Sequence, residues 1–326
     1  IAPVAEAHFG EEPLLQLNLA SARRWPSFAA ELEEAAGTSS GYRQTATLIV
    51  ARDRDDREEL DRLLAYQQQL GLKVEWVGSR EARDLEPFLS PRVVGGLLAS
   101  DDHQADPQAL VAALTAACER VGVEFVSQRA AAVTRRGNRV TGVRLRDGGE
   151  ILAGTTVIAA GAWSGALEGL PERAIPVRPV KGQILVLRGP VDPPLAYRNV
   201  RSPEVYLVPR ADGRIVVGAT AEEKGFDTTV TAGAVLDLLR RAYEVLPGLT
   251  ELAFEASIAG LRPGSPDNAP LLGDGPLDDL VVATGHFRHG ILLTPSTADV
   301  VSERLLTGRW PELARPFAPD RFGGPA

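Results

Sequence analysis

Apolar positions along the chain follow two rhythms. Through residues 11–36, Leu14, Leu17, Trp25, Phe28 and Leu32 recur at roughly helical spacing, and Gly37 and Gly41 stop the run. An apolar run within 42–51 predicts a strand. The strongly charged 53–70 predicts a helix with a solvated face. A strand over 72–77, a short helix from Ser79 to the break at Pro87, and a strand over 95–99 come next. Residues 106–122 carry clear helix punctuation. Asp106 is the N-cap, Pro107 opens the first turn and Gly122 stops the helix, with Leu110, Leu114, Ala117, Cys118 and Val121 as its apolar face. A strand over 123–126 is expected to follow. Three short strands over 131–136, 139–145 and 150–152 are then separated by turn residues, and the apolar 155–160 runs straight into Gly161.

From residue 175 strands dominate, over 180–187, 205–208 and 215–218. An amphipathic helix over 231–246 ends at Pro247-Gly248. A long strand over 251–261 leads to a glycine-flanked turn holding Arg262. A short apolar strand at 280–283 precedes a last helix, with Thr294 as N-cap and Pro295 in its first turn. The Pro-rich tail from Trp310 is expected to lie over the surface. Helix–strand units near 106–160 and 280–307 thus interleave with strand-rich segments near 42–100 and 175–256. That order predicts an α/β protein of two domains whose chain crosses between them several times.

Composition narrows the function. The 326 residues carry a net charge of −8 and no basic stripe, which argues against nucleic acid. The single Cys118 excludes an internal disulfide framework and fits a reducing, cytoplasmic compartment; on its helix it reads as core packing. No apolar run approaches the ~18 residues of a membrane-spanning helix, and no signal-peptide pattern opens the chain. With no methionine at all and Ile1 in first place, the chain is expected to begin inside a longer protein or to have been processed.

Candidate chemistry converges on residues 258–296. His286 and His289 lie three apart, but no cysteine stands near and the stretch is glycine-flanked, so no metal site is assigned. A G-x-S-x-G nucleophile elbow is absent, and Gly273-Asp274-Gly275 lacks the context of a dinucleotide turn. Two arginines remain. Arg262 sits in GLRPG and Arg288 in GHFRHG, just after a predicted strand and just before a helix start. A guanidinium offers a rigid fork for a carboxylate, and ligands collect at the carboxyl ends of strands in open α/β sheets. The residues alone leave Arg262 as either an arginine that ties a loop or an anion clamp.

The strings GLRPGSPDNAPLLG and VVATGHFRHGILLTP, with VIAAGAWS at 157–164, PVKGQ at 179–183 and VYLVPRADGRIVVGAT at 205–220, resemble the FAD-dependent amine oxidases of the D-amino-acid-oxidase class, above all their glycine oxidase branch. The matches run along nearly the whole chain in the right order. The resemblance implies a Rossmann-like FAD-binding domain (1–41, 101–174 and 257–326) beside a strand-rich α+β substrate-binding domain (42–100 and 175–256). The N-terminal βαβ unit with its G-x-G-x-x-G turn is expected to precede Ile1. It implies oxidative deamination of glycine to the imine, with O2 as oxidant and hydrogen peroxide as product, supplying the thiazole of thiamine. Arg262, Arg288 and Tyr206 then bind the substrate. Ala130, Gly161, His286, Phe287, Arg288, His289, Gly290, Ile291 and Leu292 line FAD, which carries the chemistry, so no protein residue is named as catalytic. A homotetramer is also implied. Ala221 stands where a glycine oxidase has methionine, which leaves room for sarcosine or a D-amino acid. Sarcosine or D-amino-acid oxidase is the alternative within the fold; a flavin-free binding protein or non-catalytic fragment is the alternative outside it.

Overall fold

The computed structural model describes residues 1–323. Helix α1 (Glu12–Ala36) ends at Gly37 in the left-handed conformation, φ 68°, and buries Leu14, Leu17, Trp25 and Leu32 along one stripe. Residues 42–51 form two strands rather than one. β1 (Tyr42–Arg43) and β2 (Thr47–Ala51) are separated by Ala46 at φ 61°, where extended geometry breaks. Asp53 caps α2 (Arg54–Gln69) by accepting from the Asp56 amide. Next come β3 (Val74–Gly78), α3 (Ser79–Leu85), β4 (Gly95–Ala99) and the two-residue β5 (Gln104–Ala105), which pairs with β1.

Helix α4 (Pro107–Arg120) starts as its sequence requires, with the Asp106 carboxylate accepting from the Gln108 amide. Its apolar face is narrower than the pattern predicts. Leu110 and Ala113 are buried, Cys118 is half-buried and Val121 is exposed. Residues 123–126 are not a strand. All four are exposed and no neighbour pairs with them among the described residues, so no hydrogen-bond ladder holds them. β6 (Ala130–Arg136), β7 (Arg139–Leu145) and β8 (Glu150–Leu152) make an antiparallel meander. β9 (Thr156–Ile158) then runs into a 3-10 turn at Gly161–Ala166.

The second half builds the main sheet. β10 (Arg178–Arg188), β11 (Asn199–Arg201), β12 (Tyr206–Pro209), β13 (Arg214–Gly218) and, after helix α5 (Ala232–Val245), β14 (Ala253–Gly264) join the earlier strands in the order β14-β10-β13-β12-β11-β2-β4-β3. All pairs are antiparallel except β11 with β2. Leu238, Ala242 and Val245 of α5 pack with Leu185, Leu187, Leu207 and Val217 on one face. Each such leucine contributes about 1.5–3 kcal/mol by burial.

Arg262 does not sit in a turn. β14 continues through Arg262 and Pro263 and pairs with β10 as far as Gly264, beyond residue 257 where the sequence reading starts its last flavin segment. Proline is tolerated there because β14 is the edge strand.

β15 (Leu271–Asp274) and β16 (Leu280–Thr284) form a small sheet with β9, which lies parallel to β16. Thr294 is not the cap of α6 (Thr294–Thr307). Leu293 holds the N-cap position without a side-chain bond, and the Thr294 hydroxyl donates to the Gly290 carbonyl at 3.0 Å. The tail is not laid over the surface either. Ala314 and Phe317 are buried against Leu14 and Leu17, because an aromatic ring gains more by covering the α1 stripe than by staying in water. Among the described residues no helix is long and apolar enough to cross a membrane.

Candidate active site

Strands β12 and β14 deliver two side chains to one face of the main sheet. Tyr206 is opposite Gly218, Gly218 opposite Ile184, and Arg262 opposite Val180, an even number of residues from Ile184 on β10, so period-two alternation puts them all on that face. The Arg262 Nη1 donates to the Thr220 carbonyl at 3.0 Å, which aims the guanidinium. Burial pushes the Tyr206 phenol up from its ordinary value, against the nearby charge of Arg262, so the hydroxyl stays protonated and able to donate. A cavity of about 180 Å³ is lined by Tyr206, Ala221, Arg262, Phe287 and Arg288. An adjoining one of about 220 Å³ shares Tyr206 and Arg288 with it. The structure therefore brings Arg262, Arg288 and Tyr206 together. Arg288 stands 3.5 Å from His8 and 5.3 Å from the centre of the Phe287 ring.

Sequence reasoning missed two members of this cavity, Glu6 and Arg201. The Arg201 Nη1 donates to Glu6 at 2.7 Å, and His289 Nδ1 lies 3.9 Å from the same carboxylate. Burial works against ionised Glu6, yet the charges of Arg201, His289 and Arg288 outweigh it and hold the pKa down to about 2. Glu6 is placed from behind, because the buried Asp102 carboxylate accepts from the Val4 and Ala5 amides at 2.9 and 2.7 Å. The opening segment reads as irregular, and its partners lie about a hundred and two hundred residues away, so no local pattern signals it.

The PVKGQ motif explains how the rim carrying Ala221 is held. Lys181 is buried and its ammonium donates to Asp227 at 3.0 Å. Lys181 and Glu222 exchange backbone hydrogen bonds. Gln183 donates from its side-chain amide to Glu222 at 2.7 Å and accepts from the Thr231 amide at 2.9 Å. Residues 219–231 are thereby tied to β10 along their length.

From the loop 286–292, Phe287 and Arg288 line the Arg262 cavity and Ile291 lines the adjoining one. Phe287 takes φ 47° and its amide donates to the Pro263 carbonyl, docking this loop on β14. His286 is neutral, because burial lowers its pKa to about 4; its Nε2 lies 2.9 Å from the Thr297 hydroxyl. His289, also depressed by burial, lies 3.4 Å from Asn18. The Leu292 carbonyl accepts from both Ser21 and Trp25. These contacts leave the amides of Gly290, Ile291 and Leu292 without a backbone partner among the described residues, just before the N-terminus of α6. Three unused donors at the positive end of a helix fit a ring that gains negative charge on reduction, which is what a flavin requires.

Ala130 borders a different space, and Gly161 lines neither of the two cavities above. Ala130 begins β6 and lines a cavity of about 760 Å³ with Arg129, Trp163 and the open edge of β9. Gly161 follows β9 at φ 54° and its carbonyl accepts from the Thr284 hydroxyl at 3.2 Å, which holds β16 and this turn in step.

Mixed α/β architecture, a strand-rich sheet bearing an arginine–tyrosine pair and a loop of free amides fit a flavoprotein oxidoreductase. The family profile described as FAD dependent oxidoreductase matches residues 4–304, and the chain belongs to that family. It is 36% identical to the bifunctional protein ThiO/ThiG of Synechocystis over 99% of its own length and 47% of that protein's. It is 32% identical to hydrogen cyanide synthase subunit HcnC of Pseudomonas aeruginosa, covering 97% of this chain and 76% of HcnC. The chain thus spans about half the length of the bifunctional relative and about three quarters of the other. The crystal structure of glycine oxidase from Geobacillus kaustophilus superposes with a TM-score of 0.90 at 31% identity, covering 99% of this chain and 86% of that one. The chain is an FAD-dependent enzyme of this fold.

Proposed function

We propose that the enzyme oxidises glycine, or a comparably small amino acid, to the imine, which water converts to glyoxylate. The observation that carries this reading is the convergence of Arg262 and Tyr206 on one small cavity, lined also by Phe287 and Arg288 of the loop that leads to the free amides of 290–292. Arg262 grips the substrate carboxylate with the guanidinium edge that Thr220 leaves free, and the Tyr206 hydroxyl donates to the same carboxylate. Arg288, beside His8 and the Phe287 ring, adds positive charge at the mouth. FAD, when bound, supplies the hydride acceptor, and O2 reoxidises it with release of hydrogen peroxide. The amides of Gly290, Ile291 and Leu292 and the end of α6 stabilise negative charge beside the site. Positioning is therefore most of what the protein contributes.

Residues 42–100 and 175–256, extended to Gly264 by the β14 pairing, shape the substrate side. Residues 1–41 and 101–174, with the segment after Gly264, hold the flavin. In this reading the imine serves the thiazole of thiamine, as the resemblance to the glycine oxidase branch implies, and the enzyme is a cytoplasmic homotetramer. A second reading is favoured by one observation. Ala221 leaves space on the cavity rim, which admits sarcosine or D-alanine.

Steady-state kinetics test the grip. Arg262→Ala is expected to raise KM for glycine by about a hundredfold or more, as loss of a charge-assisted pair does. An unchanged KM removes Arg262 from the substrate site.

A further inference from the structure

We propose that Gly182 and Gly218 are positioning residues for the carboxylate grip; the proposal rests on the reading of Arg262 and Tyr206 given above. Both glycines lie in the interior strands of the β14-β10-β13-β12 order, while Arg262 and Tyr206 come from the outer two. To meet in one cavity, each long side chain must lie across the neighbouring strand. Arg262 crosses β10 at Gly182, and a Cβ there would overlap its Nη1, Cζ and Nη2 atoms. Tyr206 crosses β13 at Gly218, and a Cβ there would overlap its hydroxyl and ring carbon Cζ.

Neither glycine has a positive φ. Their lack of a side chain has another cause. At both positions the nearest atoms belong to the distal ends of the binding side chains, not to backbone. A methyl group at residue 182 can therefore be accommodated by moving the guanidinium, and the fold survives while the grip does not. Arg262 would lose its lie across β10 and its bond to the Thr220 carbonyl together. Gly260, the cross-strand partner of Gly182, has nothing within 4 Å of an added Cβ, so the crowding belongs to the Arg262 side chain and not to this strand pair in general.

The test uses acetate, a carboxylate with no oxidisable amine, titrated into the flavin-loaded full-length protein and followed by the change in flavin absorbance. Gly182→Ala, Arg262→Ala and the double variant are compared with the parent, each with its thermal midpoint. The expected result is a Kd for acetate raised about tenfold or more by Gly182→Ala in the parent, but by less than about twofold when Arg262 is already alanine. Equal weakening in both backgrounds, or none in the parent, overturns the proposal. If Arg262→Ala itself leaves acetate binding unchanged, the grip fails and not merely its support. If Gly182→Ala does not yield folded protein, Gly218→Ala with Tyr206→Phe decides in the same way. Weaker acetate binding in the parent that disappears in the Tyr206→Phe background supports the role, and equal weakening in both overturns it.

Discussion

The indole Nε1 of Trp25 donates to the carbonyl of Leu292 across 2.9 Å, tying the middle of α1 to the loop that precedes α6. Ser21 Oγ donates to the same oxygen at 2.7 Å, so one carbonyl is held by two side chains of one helix. Trp25 is fully buried and stacks on Tyr42 at 5.4 Å. The free amides of 290–292 inherit their direction from this anchor.

Trp25→Phe is therefore expected to act at two levels. Loss of the donor and of indole volume costs about 1–3 kcal/mol of stability. The loosened loop also weakens FAD binding. Chemical denaturation and flavin titration measure the two separately. A variant that loses stability but keeps the parent's flavin affinity shows that the anchor does not reach the amides.

Acid should destabilise the fold through His286 and Glu6 in succession. The folded-state pKa of His286 is about 4, below its ordinary 6.5, so the unfolded chain takes up a proton that the folded one refuses. Stability is full above about 6.5 and falls as pH drops toward 4, by on the order of 3 kcal/mol at the end of that window. Glu6, held at about 2, contributes stability that is present above its ordinary value of 4.5 and lost as pH falls below it. Urea midpoints between pH 8 and 4.5 should decline less steeply for His286→Gln than for the parent. Parallel profiles would contradict the assignment.

Ala221→Met should narrow the cavity from its rim next to Thr220. The expected effect is a drop of about tenfold or more in kcat/KM for sarcosine and D-alanine, with glycine little changed, since overpacking is felt only by a ligand large enough to meet it. A uniform fall across all three amines places residue 221 elsewhere in the reaction.

Much of this molecule is written locally. Asp106, Thr231, Gly37 and Gly308 mark helix ends that a short window can read, because a cap satisfies amides two or three residues away. Residues 123–126 misled the same reading, since an apolar run states a wish for burial and not the presence of a neighbour. Phe317 misled it in the other direction, because proline density around it hides a ring seated in the core. The strand through Arg262 looks like a turn in sequence, and only its place at the edge of the sheet makes Pro263 compatible with pairing. At the candidate site, the glycine-flanked stretches singled out Arg262 and Arg288 and family resemblance added Tyr206, while Glu6 and Arg201 needed the fold, their contact joining the opening segment to a strand 195 residues on. Gly182 and Gly218 carry no signal of their own, for their meaning lies in side chains from other strands.

The most direct test of the whole reading is hydrogen peroxide release by the FAD-loaded full-length enzyme, measured side by side on glycine, sarcosine, D-alanine and methylamine. The grip of Arg262 and Tyr206 on a carboxylate predicts turnover of glycine, with sarcosine and D-alanine admitted beside Ala221 and methylamine, which has nothing to grip, at least about a hundredfold poorer in kcat/KM. Methylamine oxidised as well as glycine, or no peroxide from any of the three amino acids, would contradict it.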